Sequence, residues 1–350
     1  MVFYTTYTRL LRDPFMSKTA NPHLICYLLA ACLLAAPVVG AMTRAELYQA
    51  TVPRPDRSEA SQDSAFVAGL KIVVVRVTGR RSAREEAAFA PLMSDARRYV
   101  QQYRAASDNL LWISYDANAI DRWLAQNGQP IWGRDRPATF VWLAIPAVGS
   151  VGTGVAKNDD TSELKTALDA EAQLRGIPLR WPSAAELQSH RVDYGAILNM
   201  PSGSLVDLGV RLGAEAVLIG RPVTANGVVT WRWSHQFQDR SNEYSGTIEG
   251  IDGAADLYAG LFAASGAPTP VDIEIAGLND VTGYAKVQTY LESLAFVSHV
   301  SVRSLNADRA QFRVTVRGGA SALQRALSVN ASLEAQPATD TSFLRFHLRP

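Results

Sequence analysis

The pattern of hydrophobic and polar positions along the chain predicts helices that alternate with short apolar strands. Ser58 is the predicted N-cap of a helix along which Phe66, Leu70 and Val74 recur at helical spacing, and Gly79 ends that helix. Phe140–Ile145 is an unbroken apolar run of strand length, as expected of a strand covered on both faces. The mixture predicts an α+β fold.

Further elements follow from the same periodicities. They are the helices 91–99, 116–127, 164–172, 204–212 and 251–264 and the strands 110–115, 177–181, 216–219, 229–237 and 244–248. Asn226-Gly227 is a hairpin turn signal between two of these strands. The two prolines within Val52–Asp56 predict an irregular lead-in. Residues 42–265 are therefore expected to form one mixed α/β domain.

A compact linker, residues 266–270, precedes a more regular carboxy-terminal region. Strict alternation predicts strands around Ile273, Val302, Val314 and Phe346, with Arg313, Thr315 and Arg317 facing outwards. Two helical faces lie between these strands. The order βαββαβ predicts a ferredoxin-like domain over residues 271–350.

The start of the chain has the pattern of a secretory signal peptide over residues 1–41. Three basic residues come first, Leu24–Met42 carries no charge, and Val39-Gly40-Ala41 has small residues at both recognition positions. Cleavage after Ala41 predicts a periplasmic protein. Two alternatives stay open. Leu29–Cys32 resembles the box that precedes the lipidated Cys of bacterial lipoproteins, and the apolar run could serve as an uncleaved membrane anchor.

Composition excludes several chemistries. Both cysteines, Cys26 and Cys32, lie in the leader, so the remaining chain has no disulfide, thiol nucleophile or thiolate metal site. Positive and negative charges nearly balance, with 34 basic against 33 acidic residues and no Lys/Arg block. A nucleic-acid partner is therefore not expected.

Motifs for catalysis are weak. Gly149–Gly154 follows a strand, but Val155 stands where a phosphate loop requires Lys. Ser162 and Lys165 match the Ser-x-x-Lys of penicillin-recognising enzymes without its companion motifs, so Ser162 is better explained as a helix N-cap. His235 alternates with Trp233 and Phe237, which favours a hydrogen-bonded core His over a metal ligand. We predict no catalytic residue, no metal site and no cofactor.

One loop has the composition of an interface. Trp112, Trp123, Trp142 and Trp233 fall at positions that should face a core, whereas Trp132 lies in a Pro- and Gly-flanked loop. Arg134, Asp135 and Arg136 follow it. Because Trp and Arg dominate many interfaces, Trp132, Arg134 and Arg136 are candidate partner-binding residues. The alternative is that the charged residues brace a loop over Trp132.

Several phrases resemble a proteobacterial envelope family, domain of unknown function 2066. They are Arg76–Gly79, Tyr99–Tyr103, Gln129–Gly133 with Arg136-Pro137, Val141–Ala144 and Leu212–Arg221. In element order, residues 140–264 are also similar to small α/β domains of the curli secretion channel, of lipoprotein activators of penicillin-binding proteins and of the Tol-system propeller protein. These resemblances imply protein binding, not catalysis.

The sequence thus favours an envelope protein that binds or helps to assemble a protein partner without catalysing a reaction. Membrane attachment is expected only if Cys32 is lipidated or the leader is retained. Two alternatives stay open. One is a cell-wall hydrolase whose two carboxylates come from distant positions, and the other is a sensor that binds a small ligand between domains.

Overall fold

The computed structural model of the chain describes residues 43–133, 136–147, 152–294, 296–306, 308–328, 330, 332–337 and 343–349. The predicted signal peptide, including Cys32, lies outside these residues. None of the described helices combines the length and the apolar character that crossing a membrane requires. Helices and strands are mixed and the strands pair in separate sheets, which confirms the α+β class.

The first sheet is antiparallel, with the strand order β1-β3-β2. Its strands are β1 (Gln49–Pro53), β2 (Val100–Ser107) and β3 (Leu110–Tyr115), and its helices are α1 (Arg44–Leu47), α2 (Glu59–Thr78), α3 (Ala90–Ser94) and α4 (Ala117–Gln126). The side chain of Ser58 caps the start of α2, and Gly79 ends it with a left-handed φ of 70°. Both ends agree with the prediction. The second half of α2 is buried on all sides, which explains its β-branched composition.

The second sheet has the order β5-β4-β7-β8-β9, with β6 paired to the start of β4. Its strands are β4 (Thr139–Ile145), β5 (Gly154–Val155), β6 (Leu179–Arg180), β7 (Ala216–Ala225), β8 (Val228–Phe237) and β9 (Arg240–Ser245). The helices are α5 (Glu163–Arg175), α6 (Ala184–His190), α7 (Tyr194–Asn199), α8 (Ser202–Arg211) and α9 (Glu249–Phe262). Val141 and Leu143 of β4 pack with α5 and α9, whereas Phe140 and Trp142 pack with α7 and α8. The prediction that β4 is covered on both faces is confirmed.

The third sheet has the order β11-β12-β10-β14-β13. Its strands are β10 (Thr269–Ala276), β11 (Val297–Asn306), β12 (Arg309–Val316), β13 (Leu333–Ala335) and β14 (Leu344–Leu348), and its helices are α10 (Val281–Ser293) and α11 (Gly319–Ser328). Both helices pack on one face, over Ile273, Ile275, Phe312 and Val314. Thr269 and Pro270, assigned to the linker from sequence, already belong to β10.

This region departs from the expected βαββαβ order by one strand. The short strand β13 follows α11 at the edge of the sheet, and β14 folds back between β13 and β10, parallel to β10. A three-residue strand with one buried side chain, Leu333, leaves no alternation to recognise in the sequence. The region is therefore βαββαββ, and the strict ferredoxin-like arrangement was wrong in its last step.

Two strands of the first sheet were missed for related reasons. Strand β2 is exposed along nearly its whole length and shows no apolar alternation. Strand β1 contains Val52 and Pro53, which were assigned to an irregular segment because of the prolines. A proline is tolerated here because β1 lies at the sheet edge, where its missing N–H breaks no ladder bond.

Candidate functional site

Two residues of the loop singled out as an interface, Trp132 and Arg136, lie in the interior, between the ends of α2 and α5. Trp132 is 0% exposed and Arg136 is 4% exposed, while Arg134 falls outside the described residues. The backbone N–H of Trp132 donates to the carbonyl of Val77 at 2.6 Å, which connects the loop to the last turn of α2. Side chains without exposed surface offer no contact area to a partner. The partner-binding prediction therefore has no support at Trp132 and Arg136.

Arg136 instead caps two helices at once. Its guanidinium lies 3.9 Å from the centre of the Trp132 ring. It donates hydrogen bonds of 2.7–3.1 Å to the carbonyls of Arg76, Trp132, Gly133, Arg175 and Gly176. The last carbonyls of a helix have no partner within the helix and carry the negative end of its dipole. The buried guanidinium of Arg136 supplies hydrogen bonds and a positive charge to the ends of both helices. This role is similar to the alternative stated above, in which charged residues brace the loop over Trp132.

Gly176 is required by this arrangement. It ends α5 with a left-handed φ of 72°. A Cβ at this position would lie 2.3 Å from Nη1 of Arg136 and 2.6 Å from Cγ of Arg76. Only glycine therefore combines the backbone conformation with the close approach of two arginine side chains.

Arg175 completes the cluster, which we call the arginine junction (Arg76, Arg136, Arg175 and the Trp132 ring). Arg175 is 0% exposed and donates to the carbonyl of Gly79 at 2.9 Å. It also forms ion pairs with Asp252 and Asp256 of α9. The junction thus holds α2, α5 and α9 together. Each of its guanidinium groups makes hydrogen bonds, and of its fully buried side-chain nitrogens only the Nε of Arg175 lacks a partner among the described residues.

Arg76 differs from the other two because it borders a cleft. It is 7% exposed, and its Nε donates to the carbonyl of Gln173 at 2.8 Å. Its Nη1 donates to the carbonyls of Glu46 and Gln49 at 2.9 and 2.8 Å. Burial lowers the pKa of Arg76 to about 10, so the group is charged at neutral pH. Its partners are uncharged carbonyls, and within the described residues no carboxylate lies within ion-pair distance of it.

The space beside this residue, which we call the Arg76 cleft, has a volume of about 540 Å³. It runs between the free edge of β1 and helix α5. Apolar side chains form one part of its wall, namely Ile72, Leu174, Ile177 and Leu179. Trp112 also lines it, half-buried on the outer face of the first sheet with Arg104 4.8 Å from its ring. The core position predicted for Trp112 was wrong because Leu111 and Ile113 occupy the inner face.

His235 is a core residue, as the alternation suggested. It is 1% exposed, and its Nε2 lies 2.9 Å from the hydroxyl of Tyr258, which in turn lies 2.9 Å from the hydroxyl of Thr139. Its Nδ1 has no hydrogen-bond partner among the described residues. Burial lowers the pKa of His235 to about 4. The imidazole is therefore neutral at pH 7 and enclosed, which excludes it from contact with a substrate.

The two weak motifs keep their non-catalytic interpretation. Ser162 accepts the backbone N–H of Lys165 at 3.4 Å and so caps α5. The Lys165 ammonium donates to Asp169 at 2.7 Å instead of reaching Ser162. Residues 148–151 of the predicted Gly-rich loop lie outside the described residues.

A second cleft, of about 420 Å³, lies between the first sheet and the third. It contains two carboxylates, Asp121 and Glu292, which is the kind of pair that the hydrolase alternative requires. Asp121, however, accepts hydrogen bonds from the Tyr48 hydroxyl and from Arg44. Burial and the Asp121 charge together raise the pKa of Tyr48. Both oxygens of the Asp121 carboxylate are therefore already engaged by neighbouring side chains.

The outer face of the third sheet carries an excess of guanidinium groups. Five arginines define what we call the arginine face: Arg303, Arg309, Arg313, Arg345 and Arg349. Their side chains are 29–56% exposed, whereas the central carboxylates Asp272 and Glu274 are only 17–19% exposed. The two carboxylates therefore lie close to the sheet, and the guanidinium groups extend further into the solvent.

Ion pairs on this face are shared. Asp272 accepts from both Arg303 and Arg313 at 2.8–3.1 Å, and the Arg313 hydrogen bonds lower the pKa of Asp272. Glu274 lies 3.6 Å from both Arg309 and Arg345. Asp272 and Glu274 thus serve four guanidinium groups, while Asp308 also pairs with Arg309 and Glu334 pairs with Arg349. The five arginines exceed these four carboxylates by one positive charge.

Sequence reasoning missed this surface because its arginines come from three strands. The outward alternation of Arg313 and Arg317 and the placement of His347 between Arg345 and Arg349 were visible in the sequence. Pairing across strands, which brings Asp272 opposite Arg313 and Glu274 opposite Arg345, was not. Throughout the part of the chain that the structure describes, no cluster of three or more His, Cys, Asp or Glu residues is arranged to hold a metal ion.

Comparison with known families corrects one expectation. Residues 41–133 match the family model described as "Domain of unknown function (DUF8605)". The resemblance to domain of unknown function 2066 was therefore wrong, and no family model identifies the third sheet as a ferredoxin-like domain. The match covers the first sheet and ends just after Trp132. Neither the curated proteins nor the solved structures yielded a match.

Proposed function

We propose that this protein is a non-catalytic binding module of the cell envelope, which holds an acidic segment of a protein partner on its arginine face. The observation that carries the proposal is the shared pairing on this face, where four guanidinium groups surround Asp272 and Glu274. A partner carboxylate would give the exposed Arg303 and Arg313, which share Asp272, a second acceptor without burying a new charge. The leader-like residues 1–41 support the location in the envelope.

An acidic protein fits this surface better than a nucleic acid does. Single-stranded nucleic acids bind open sheets through bases that stack on aromatic side chains. The described strand residues on the outer face of the third sheet include no Phe, Tyr or Trp. Its centre also carries two carboxylates, which would repel a phosphate backbone.

A pair of charge-removing variants tests the proposal. Arg303→Gln with Arg309→Gln removes two exposed cations from the face, and Arg232→Gln with Arg240→Gln removes two exposed cations from β8 and β9 as a matched control. A photo-cross-linking amino acid in place of Gln311, at the centre of the face, would trap the partner in intact cells.

We expect the first double variant to capture less of the partner than the original chain does and the control to capture as much. Exposed ion pairs contribute roughly 0.2–1 kcal/mol each, so binding of the captured partner should weaken by about 2- to 30-fold and fall further with salt. Equal loss in both variants, or capture of nucleic acid instead of protein, would contradict the proposal. Turnover of cell-wall material by the purified protein would overturn its non-catalytic part.

A further inference from the structure

We propose that the Arg76 cleft is a binding site for a small organic acid, with one carboxylate held by Arg76 and an apolar body lying against α5. The site belongs to a different part of the chain from the arginine face and does not depend on the proposed partner.

The first argument is the state of the guanidinium. Arg76 is more than nine-tenths buried, and its Nε and Nη1 already donate to main-chain carbonyls. Its third nitrogen, Nη2, makes no hydrogen bond to any described residue. A buried cation that lacks a counter-charge attracts an anion strongly because the surrounding dielectric is low. Arg76 therefore supplies both the charge and a free donor.

The second argument concerns the nearest acid, Glu46, which lines the same cleft. Its carboxylate accepts the backbone N–H of Thr43 at 2.7 Å and the Thr43 hydroxyl at 2.9 Å, as part of a capping box at the start of α1. Because the Glu46 carboxylate is hydrogen-bonded in this helix cap, it does not form an ion pair with Arg76.

The third argument is the wall of the cleft, which selects the class of anion. Ile72, Leu174, Ile177 and Leu179 are apolar, and the Trp112 ring lies at one side. Gln49 and Thr51 add polar side chains from β1. A single buried cation balances a single negative charge. An inorganic dianion such as phosphate would leave this apolar surface uncovered, whereas a monocarboxylate with a hydrocarbon body covers it.

Two substitutions on α5 test the site without removing the structural bonds of Arg76. Gln173→Glu adds a carboxylate to the cleft wall, where it competes for Arg76, and Ala170→Trp fills the cleft from its exposed rim. Gln188→Glu, on the exposed side of α6, is the matched control for the first change. Thermal unfolding of each variant confirms that it is folded.

The probes are hexanoate, its uncharged analogue hexanamide, and inorganic phosphate, each titrated by calorimetry into the full chain. We expect saturable binding of hexanoate, with hexanamide weaker by about tenfold or more. Gln173→Glu and Ala170→Trp should abolish hexanoate binding, and Gln188→Glu should retain it.

Three results would overturn the proposal. They are the absence of saturable hexanoate binding, equal binding by Gln173→Glu and the original chain, and tighter binding of phosphate than of hexanoate. Tighter binding of phosphate would mean that Arg76 binds a tetrahedral anion instead of a carboxylate.

Discussion

Truncation of Trp132 to alanine should destabilise the protein strongly, because the side chain is fully buried at the arginine junction. The indole lies under the Arg136 guanidinium and 6.4 Å from the ring of Tyr258, centre to centre. Its edge contacts the end of α2, where a Cβ on Gly79 would approach within 3.0 Å of it. Removal leaves a cavity that these three fixed neighbours cannot close. Trp→Ala changes at such sites cost about 3–5 kcal/mol.

Urea or thermal unfolding, followed by far-UV circular dichroism, measures this cost. A loss of that size lowers the melting temperature by about 6–20 °C for a domain of this size. Trp132→Phe, which keeps an aromatic ring beneath Arg136, should lose about half as much. Trp123→Ala serves as control, because Trp123 is only partly buried against Phe89. Its loss should be clearly smaller.

A loss below about 1 kcal/mol for Trp132→Ala would refute the reasoning. It would mean that Trp132 leaves its buried position readily, and the original interface interpretation would regain its basis. If Trp132→Ala does not fold at all, the comparison of Trp132→Phe with Trp123→Ala still distinguishes the two outcomes.

Two further expectations concern pH and domain structure. The pKa of His235 is about 4 when folded and about 6.5 when unfolded, so the unfolded chain takes up the proton first and stability falls as the pH drops below 6.5. Between pH 7 and pH 5 this group should lower the free energy of unfolding by about 2 kcal/mol. The loss should be absent in His235→Gln and present in the control His347→Gln. Identical pH profiles for all three proteins would contradict this. A fragment of residues 265–350 should show a cooperative thermal transition, because the buried core residues of the third sheet lie within it, apart from Ala264. A gradual, non-cooperative melt would show that it depends on the second sheet.

Elements with a complete local pattern were predictable from sequence. The caps of α2, Ser58 and Gly79, and the doubly covered strand β4 were read correctly because each depends on a few neighbouring residues. The α+β class followed from the same patterns. Strands β2 and β13 were missed because pairing with a neighbour, and not their own alternation, makes them strands.

The candidate sites were harder to predict, because they depend on distant residues. Trp132 and Arg136 have the composition of an interface loop, yet the carbonyls that hold Arg136 come from the ends of α2 and α5. Local sequence contains no sign of those acceptors. The same holds for Arg76, whose lack of a counter-charge depends on the Glu46 carboxylate turning to Thr43.

The arginine junction also determines when the chain can finish folding. Its hydrogen bonds join Arg76 to Gln173, 97 positions away, and Arg175 to Gly79, 96 positions away. Closing loops of this length costs conformational entropy, so such contacts form late. The family match ends at residue 133, although Trp132 completes the core of the second sheet. The end of the family match therefore falls inside a folding unit, and a chain emerging from the ribosome must extend to Gly176 before the junction can close.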